Sequence, residues 1–127
     1  MKVLDNLKYT DNHEWILFDG GTATVGVTDY AQKELGDIVY VDIDTVGQTL
    51  NANDIFGSVE AVKTVSDLFM PITAKVIAIN PNLETNPELI NQHPYSDGWI
   101  IKIEIEHLNT DNKLLTPDEY KKHIGLE

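Results

Sequence analysis

The sequence predicts an antiparallel β sandwich or flattened β barrel with short helices at its periphery, one of them at the C-terminus. Apolar residues alternate with polar ones along several segments, as in half-buried strands. The connections between these segments are short, and no regular succession of strand and helix suggests a parallel sheet. The chain has 127 residues, 42% of them apolar, which is enough for one modest core. We therefore expect a single domain over residues 1–127.

The first two predicted strands form a hairpin. Glu14–Asp19 is followed by Gly20 and Gly21, a pair that suits a two-residue turn between antiparallel strands. Thr22–Val27 then places its apolar side chains on alternate positions. Both segments are expected to bury one face.

A short helix is predicted directly after this hairpin, over Asp29–Leu35. Thr28 can cap its N-terminus, and Gly36 can provide the left-handed residue that ends it. Tyr30, Ala31 and Leu35 are expected to face inward.

The remaining predicted strands occupy the middle and the end of the apolar region. Val39, Val41 and Ile43 alternate with polar or aromatic neighbours. Further strands are expected over residues 54–62, 64–70, 75–80 and 101–106. Residues 75–80 are nearly all apolar, which predicts that this strand is covered on both faces.

Two further helical segments are predicted toward the C-terminus. Pro87–Ile90 can form a single helical turn with the proline at its first position. Thr116 begins a capping box with Pro117 and Glu119, lysines occupy the last turn, and Gly125 follows. The second of these segments is the predicted C-terminal helix.

The charge of the chain excludes several classes of partner. The formal net charge is −12, from 21 acidic residues and 9 basic ones. Such a surface repels nucleic-acid phosphates and anionic lipid, so neither is an expected partner. It also favours a soluble monomer and docking to basic surfaces of larger proteins. No apolar run approaches the roughly 20 residues that span a bilayer, and Met1–Asp5 lacks the apolar stretch expected of a secretion signal. We expect a cytoplasmic protein, with a mature mitochondrial form as the alternative.

The sequence shows no spacing of His, Cys, Asp or Glu residues that is typical of a metal site or a catalytic site. There are no cysteines, so disulfides and thiolate metal sites are excluded. The pair His13-Glu14 is followed by Leu17 where a zinc protease helix needs a second histidine. His93, His107 and His123 also lack metal-ligand spacing. We expect no metal site, no catalytic residue and no stand-alone enzymatic activity.

Lys63 is the most informative residue. It is the only charge in Val62–Val65, a short apolar segment that bends and returns, so the amine should be displayed at a turn. Packing residues are expected to hold this hairpin: Val59, Val62, Val65 and Leu68. On its own, a lysine in such a turn is most often only a solvated side chain.

Short sequence motifs on both sides of Lys63 indicate a specific role for this lysine. The motifs are Lys8-Tyr9-Thr10, His13-Glu14-Trp15, Gly26–Gln32, Leu35–Val39, Val59–Asp67, Asn91, Pro94-Tyr95 and Asp97-Gly98-Trp99. In this order and spacing the chain resembles the H-protein family of the glycine cleavage system, the lipoyl-lysine carriers of that system. The resemblance extends from about Leu7 to Ile103.

The resemblance implies a fold, a cofactor and partners. The fold would be the barrel-sandwich hybrid of lipoyl and biotinyl carriers, with lipoate covalently attached to Lys63 at an exposed hairpin. Partners would be the pyridoxal-phosphate glycine decarboxylase, the tetrahydrofolate-dependent aminomethyltransferase, dihydrolipoamide dehydrogenase and a lipoate-attaching enzyme. Asn12, Glu14 and Asp67 match the residues of the family's cleft, where they would protect the loaded arm from water. His13 and Trp15 are interpreted as structural.

The chain departs from the family pattern at two positions. Ala61 replaces a serine two residues before the lysine, and Ala74 replaces a glycine that would be strained as alanine if its φ were positive. Two alternatives to the glycine cleavage carrier stand, and the departure at Ala74 leaves room for the first of them. One is a relay protein that donates lipoate to 2-oxo-acid dehydrogenases, and the other is a non-covalent binding or adaptor module in which Lys63 is only solvated.

Overall fold

Two antiparallel sheets form a sandwich in the computed structural model, which describes residues 1–106 and 114–126. The larger sheet has the order β1-β2-β3-β9-β8-β5 and the smaller has the order β4-β6-β7. The strands are β1 Lys8–Tyr9, β2 Glu14–Asp19, β3 Thr22–Val27, β4 Ile38–Asp42, β5 Thr49–Leu50, β6 Ile55–Ala61, β7 Val65–Phe69, β8 Ala74–Ile79 and β9 Ile101–Glu104. The predicted β sandwich with peripheral helices is confirmed, and neither sheet closes into a barrel.

The β2–β3 hairpin has the predicted bounds on both strands. Gly20 at its turn has a φ of 62°, a left-handed conformation that favours glycine. In the paired register Trp15 lies opposite Gly26. The indole occupies the space that a side chain at Gly26 would need, because a Cβ built there would lie 2.7 Å from the ring.

Gly26→Ala is therefore expected to destabilise the fold. The indole is a large buried group that cannot move aside freely, and overpacking of this kind costs roughly 1 to 3 kcal/mol. Urea denaturation should show this loss in the free energy of unfolding. Gly21→Ala is the matched control, because a Cβ at Gly21 would meet no atom within 4 Å. Equal stability of the two variants would contradict the packing role of Gly26.

The first helix, α1 Asp29–Leu35, also has its predicted bounds. The Ala31 N–H donates to Thr28 Oγ1 at 3.2 Å, which caps the N-terminus. Gly36 ends the helix with a φ of 78°. No residue of α1 is fully buried, and Ala31 and Leu35 pack partly against the main core, so the helix lies across the surface of the sandwich.

The predicted alternation along β4 is wrong at its beginning. Val39 is 47% exposed, whereas its neighbour Ile38 is only 3% exposed. The pairing of β4 with β6 is irregular between Ile38 and Tyr40, where the register shifts. A bulge of this kind inserts an extra residue and turns the following side chains to the other face.

The prediction that residues 75–80 are covered on both faces is also wrong. β8 runs from Ala74 to Ile79, and Ile77 and Ile79 are 38% and 42% exposed. Val76, in contrast, is fully buried. Its pairing with β9 also shifts between Val76 and Ala78. The apolar run thus conceals a strand with one covered face, because both faces carry aliphatic side chains.

Of the two helical segments predicted after residue 80, the C-terminal one agrees with prediction and the earlier one differs. A 3-10 helix spans Pro81–Leu83, and α2 spans Leu89–Gln92 with Glu88 as its N-cap, so Pro87 precedes the helix instead of beginning it. The last helix, α3 Pro117–His123, begins with the predicted capping box at Thr116. No helix among the described residues is long and apolar enough to cross a membrane.

The interior has two parts. The main core lies between the sheets and includes Val25, Phe56 and Val76, all fully buried. A smaller cluster lies beneath α3 and contains Leu7, Tyr9, Trp15 and Tyr120. The Tyr9 and Tyr120 rings stack with centroids 4.5 Å apart, and the backbone of Tyr9 pairs with that of Leu115. The C-terminal helix is thus fixed to the first strand.

Candidate functional site

Lys63 lies at the tip of the hairpin that joins β6 and β7, and it is exposed to solvent. The tip is narrow, because the Ala61 N–H donates to the Thr64 carbonyl oxygen at 2.7 Å. It is also anchored, because the Val62 N–H donates to the Asp37 carbonyl oxygen at 3.0 Å. These backbone bonds fix the root of the lysine while its amine stays accessible.

The Lys63 side chain runs beside Gly36 at the end of α1. A methyl group built on Gly36 would lie 3.5 Å from Lys63 Cε and 3.9 Å from Nζ, which is ordinary van der Waals contact. The lysine therefore leans from the hairpin toward α1. This helix forms one wall of the cleft described below.

The prediction that Val62 and Val65 pack inside the hairpin is wrong. Val62 is 77% exposed and Val65 is 62% exposed, whereas Val59 and Leu68 are buried. Side chains of a strand alternate between faces, so Val65 and Leu68, three residues apart, point in opposite directions. Of the four predicted packing residues, only Val59 and Leu68 contribute buried side chains to the hairpin. We call the exposed pair, Val62 and Val65, the apolar collar of Lys63.

The two departures from the family pattern cause no strain. Ala61 is 4% exposed and lies opposite Ile38 in the small sheet. Ala74 begins β8, lies opposite Leu50, and does not have a positive φ. The alanine at this position therefore has no conformational cost of the kind that a left-handed residue would have.

Glu14 is a buried carboxyl group held by donors from two directions. It is 2% exposed. Its Oε2 accepts the backbone N–H of Phe69 in the small sheet at 2.8 Å, and its Oε1 accepts the hydroxyl of Thr10 at 3.2 Å. Burial raises the pKa of Glu14 to about 8, and these two hydrogen bonds oppose that rise. At neutral pH the carboxyl is mostly protonated when no cation lies beside it.

The raised pKa of Glu14 makes stability depend on pH with a defined sign. Between 4.5 and about 8 the folded protein keeps a proton that the unfolded chain has lost. The stabilisation is complete below pH 4.5 and is lost as pH rises through about 8. We expect the free energy of unfolding to fall relative to Glu14→Gln across this range, on the order of a few kcal/mol. Urea denaturation of both proteins measures the difference, and a constant difference would contradict the burial argument.

A cleft brings the predicted residues together. It has a volume of about 340 Å³, and Asn12, Glu14 and Asp67 all line it. The α1 wall contributes Tyr30, Ala31, Glu34 and Leu35, and the remaining lining residues are His13, Val27, Ser66 and Leu68. We call this space the α1 cleft. Asn12 and Asp67 are 55 residues apart in sequence. They lie in one cleft because β2 contacts β7 through Glu14 and Phe69.

His13 and Trp15 have well-defined structural contacts. The Trp15 indole is buried, and its N–H donates to the Pro94 carbonyl oxygen at 2.9 Å, a partner distant in sequence. His13 has a φ of 68° and Nδ1 lies 3.0 Å from the Tyr120 hydroxyl. Burial and nearby His123 lower the pKa of His13, so its ring is neutral at physiological pH.

Tyr120 of α3 connects both walls of the α1 cleft. Its hydroxyl lies 2.7 Å from the hydroxyl of Thr28, the residue that caps α1. The same oxygen contacts His13, which lines the cleft from the other side. The C-terminal helix thereby fixes the spacing of the walls.

Comparison with known proteins assigns the chain to a family. A family model described as "Glycine cleavage H-protein" matches residues 7–126. The chain belongs to the glycine cleavage H-protein family. The match includes the C-terminal helix and so extends beyond the residues on which the resemblance was based. Family membership confirms the predicted role as a lipoyl carrier of the glycine cleavage system.

Individual members of the glycine cleavage H-protein family are similar over almost their whole length. A "Glycine cleavage system H protein" of Bacteroides fragilis is 51% identical over 125 residues, covering 98% of this chain and 99% of the relative. One of Salinibacter ruber is 52% identical over 120 residues, covering 94% and 97%. The crystal structure of a glycine cleavage system H protein from Mycobacterium marinum has a TM-score of 0.88 at 34% identity, with coverage of 97% and 99%.

The sequence analysis did not predict several residues that line the α1 cleft or contact its residues. Glu34 follows the inward-facing Tyr30 and Ala31 by one helical turn, a spacing that places it on the same side of α1. Ser66 precedes Asp67 on β7 and lines the cleft with it, which no sequence pattern indicates. Thr10 does not line the cleft, and only the structure reveals its contact with Glu14.

The described part of this family member contains no cluster of three or more His, Cys, Asp or Glu residues that could hold a metal ion. His107, one of the histidines considered in the sequence, lies outside the described residues. His13 and His123 approach with ring centroids 5.3 Å apart, but both are engaged in contacts to Tyr120 and Asp11.

Proposed function

We propose that Lys63 carries lipoate in amide linkage to Nζ and that the chain shuttles an aminomethyl group and reducing equivalents between the enzymes of the glycine cleavage system. The observation that supports this most is the exposed amine on an anchored hairpin beside the α1 cleft. Family membership of residues 7–126 supports the same conclusion. A fixed root converts encounters between distant active sites into delivery by a tether of defined reach.

The residues around Lys63 fit such a group. The amine is accessible to an attaching enzyme, and the apolar collar of Val62 and Val65 is free to contact one. The α1 cleft combines apolar walls with carboxyl groups, which suits a long aliphatic arm that ends in a cation. Lipoate, when attached, supplies a disulfide that accepts the carbon unit and two electrons.

The α1 cleft protects the cargo by excluding water and by holding its ammonium group. Glu14 is almost fully buried, and each of its oxygens has one further acceptor position beyond the bond already made. A cation beside Glu14 favours the charged carboxylate and lowers its pKa, so the carboxyl proton leaves when the cargo enters. The charge-assisted bond that results is stronger than a neutral one. Asn12 and Asp67 line the same cleft from the turn before β2 and from β7.

The chain itself accelerates no step in this proposal. Glycine decarboxylase, the aminomethyltransferase, dihydrolipoamide dehydrogenase and a lipoate-attaching enzyme are the proposed partners. The net charge of −12 supports docking to basic surfaces and a monomeric state, without nucleic acid or membrane as a partner. We also propose that residues 1–127 act as one carrier domain, supported by the contact of α3 with β1, and that it works in the cytoplasm, as the bacterial relatives suggest.

The alternatives have less support. The lipoyl relay rested on the departure at Ala74, and Ala74 has no positive φ and therefore no conformational cost of that kind. An adaptor in which Lys63 is only solvated would leave the α1 cleft beside it without a purpose.

Carbon exchange into glycine tests the proposed function. Lipoylated protein should support decarboxylase-catalysed exchange of labelled bicarbonate with the carboxyl group of glycine, in a saturable manner, and the unlipoylated protein should support almost none. Transfer of the lipoyl group to a 2-oxo-acid dehydrogenase domain without exchange would favour the relay. A lipoylated protein that supports neither exchange nor transfer would favour the adaptor.

A further inference from the structure

Thr10, at the end of β1, has a hydroxyl group on which the local structure converges. The side chain is 7% exposed. Its Oγ1 accepts the backbone N–H of Glu14 at 3.2 Å and that of Asn12 at 3.3 Å. The same oxygen donates to Glu14 Oε1 at 3.2 Å. A hydroxyl has one donor and two acceptor positions, so all of its bonding capacity is directed to two residues of the α1 cleft.

We propose that Thr10 is a positioning residue that fixes the Glu14 carboxyl group and the Asn12 turn in the α1 cleft, so that the cleft is shaped before the cargo arrives. The role of the cleft toward the cargo rests on the proposed function, whereas the positioning of Glu14 by Thr10 does not. No other side chain among the described residues donates a hydrogen bond to Glu14, whose remaining donor is the Phe69 backbone.

Two donors on opposite sides explain why the carboxyl group has one orientation. Phe69 belongs to the small sheet and holds Oε2, whereas Thr10 directly follows β1 of the large sheet and holds Oε1. The terminal torsion of a glutamate is otherwise broad and has no strong preference. Without the Thr10 hydroxyl, the Phe69 N–H would be the one remaining donor from the described residues, and the carboxyl group could rotate while keeping that hydrogen bond. The backbone would remain in place, because the Thr10 N–H also donates to the Glu14 carbonyl oxygen at 2.9 Å.

The same hydroxyl affects the charge of Glu14. A donor to a carboxylate favours the ionised form, and here it opposes the effect of burial. The other titratable groups that line the cleft are His13, Tyr30, Glu34 and Asp67, and Asp11 adds to the rise. None of these groups changes when Thr10 is replaced. Loss of the hydroxyl should therefore raise the pKa of Glu14 further, a result that a purely structural role would not produce.

Thr10→Val and Thr10→Ser provide a matched comparison. Valine keeps the shape of threonine and removes the hydroxyl, whereas serine keeps the hydroxyl and removes a methyl group. Carboxyl carbon NMR titration of the unlipoylated proteins should show a higher Glu14 pKa in Thr10→Val and a wild-type value in Thr10→Ser. Thr10→Ala is a second hydroxyl-free variant if Thr10→Val does not fold, and urea denaturation establishes which variants are folded.

A second measurement connects the positioning to the cargo. Aminomethyl-loaded Thr10→Val should release ammonia roughly threefold to tenfold faster than wild type, because the carboxylate stays in the cleft and loses only one of the two bonds that position it. Thr10→Ser should behave like wild type. An identical Glu14 pKa in wild type and both hydroxyl-free variants would overturn the proposal. A raised pKa, with unchanged release in both Thr10→Val and Glu14→Ala, would support the positioning and overturn the cargo role of Glu14.

Discussion

Lys63→Arg should abolish lipoylation and leave the fold intact. The guanidinium keeps the positive charge but stays protonated at any usable pH, so it cannot act as the acyl acceptor. The fold is unaffected because Lys63 is exposed and the hairpin is held by backbone bonds of Ala61 and Val62. Incubation with lipoate, ATP and a lipoate-attaching enzyme, followed by intact mass measurement, checks the expected complete loss.

Lys33→Arg is the control for this experiment. Lys33 is also exposed but lies on the regular surface of α1. Its replacement should leave lipoylation at the wild-type level, because the turn and not the charge presents the acceptor. Lipoate found on Lys63→Arg would show that another lysine is the attachment site.

Glu14→Ala should shorten the lifetime of the cargo without preventing its loading. Lipoylation and loading need only the exposed arm, whereas storage needs the buried carboxylate. One charge-assisted hydrogen bond is worth roughly 1.5 to 3 kcal/mol, so ammonia release from the loaded protein should accelerate roughly tenfold to a hundredfold. Release is measured in the absence of transferase and tetrahydrofolate.

Glu14→Gln separates the charge from the shape of this side chain. The amide oxygen can still accept the Phe69 N–H but carries no charge, so release should also accelerate. Asp67→Asn, on the exposed side of the α1 cleft, should show a smaller effect of the same sign. Equal rates for wild type and Glu14→Ala would mean that Glu14 only joins the two sheets through Phe69.

Local signals were sufficient to predict the hairpin and the capped helices. The Gly20-Gly21 turn, the Thr28 cap with Gly36, and the Thr116 capping box each act within a few residues, and their elements have the predicted bounds or start. Such signals depend on backbone bonds that form between near neighbours. Distant contacts were not needed to recognise them.

The errors arose where long-range packing decides which face is covered. The bulge after Ile38 is a property of the pairing between β4 and β6, and it exposes Val39. Ile77 and Ile79 are as apolar as a buried pair, and their exposure of 38% and 42% is a property of the tertiary packing that their sequence does not indicate.

The candidate site was predicted in part because its chemistry is concentrated in a short segment. Lys63 stands out as a single charge in an apolar bend, and the resemblance supplied Asn12, Glu14 and Asp67. That the three line one cleft follows from the sheet-to-sheet contact of Glu14 with Phe69. The burial of Glu14 and its dependence on Thr10 are tertiary properties that no residue spacing indicates.

Intact mass measurement of the protein from its own cells, grown with ample lipoate, tests the central claim most directly. Peptide mapping then locates any modification. The account predicts a mass increase of one lipoyl group, located on the peptide that contains Lys63. An unmodified protein under these conditions, or lipoate on any other lysine, would contradict the assignment of Lys63 as the root of the carrier arm.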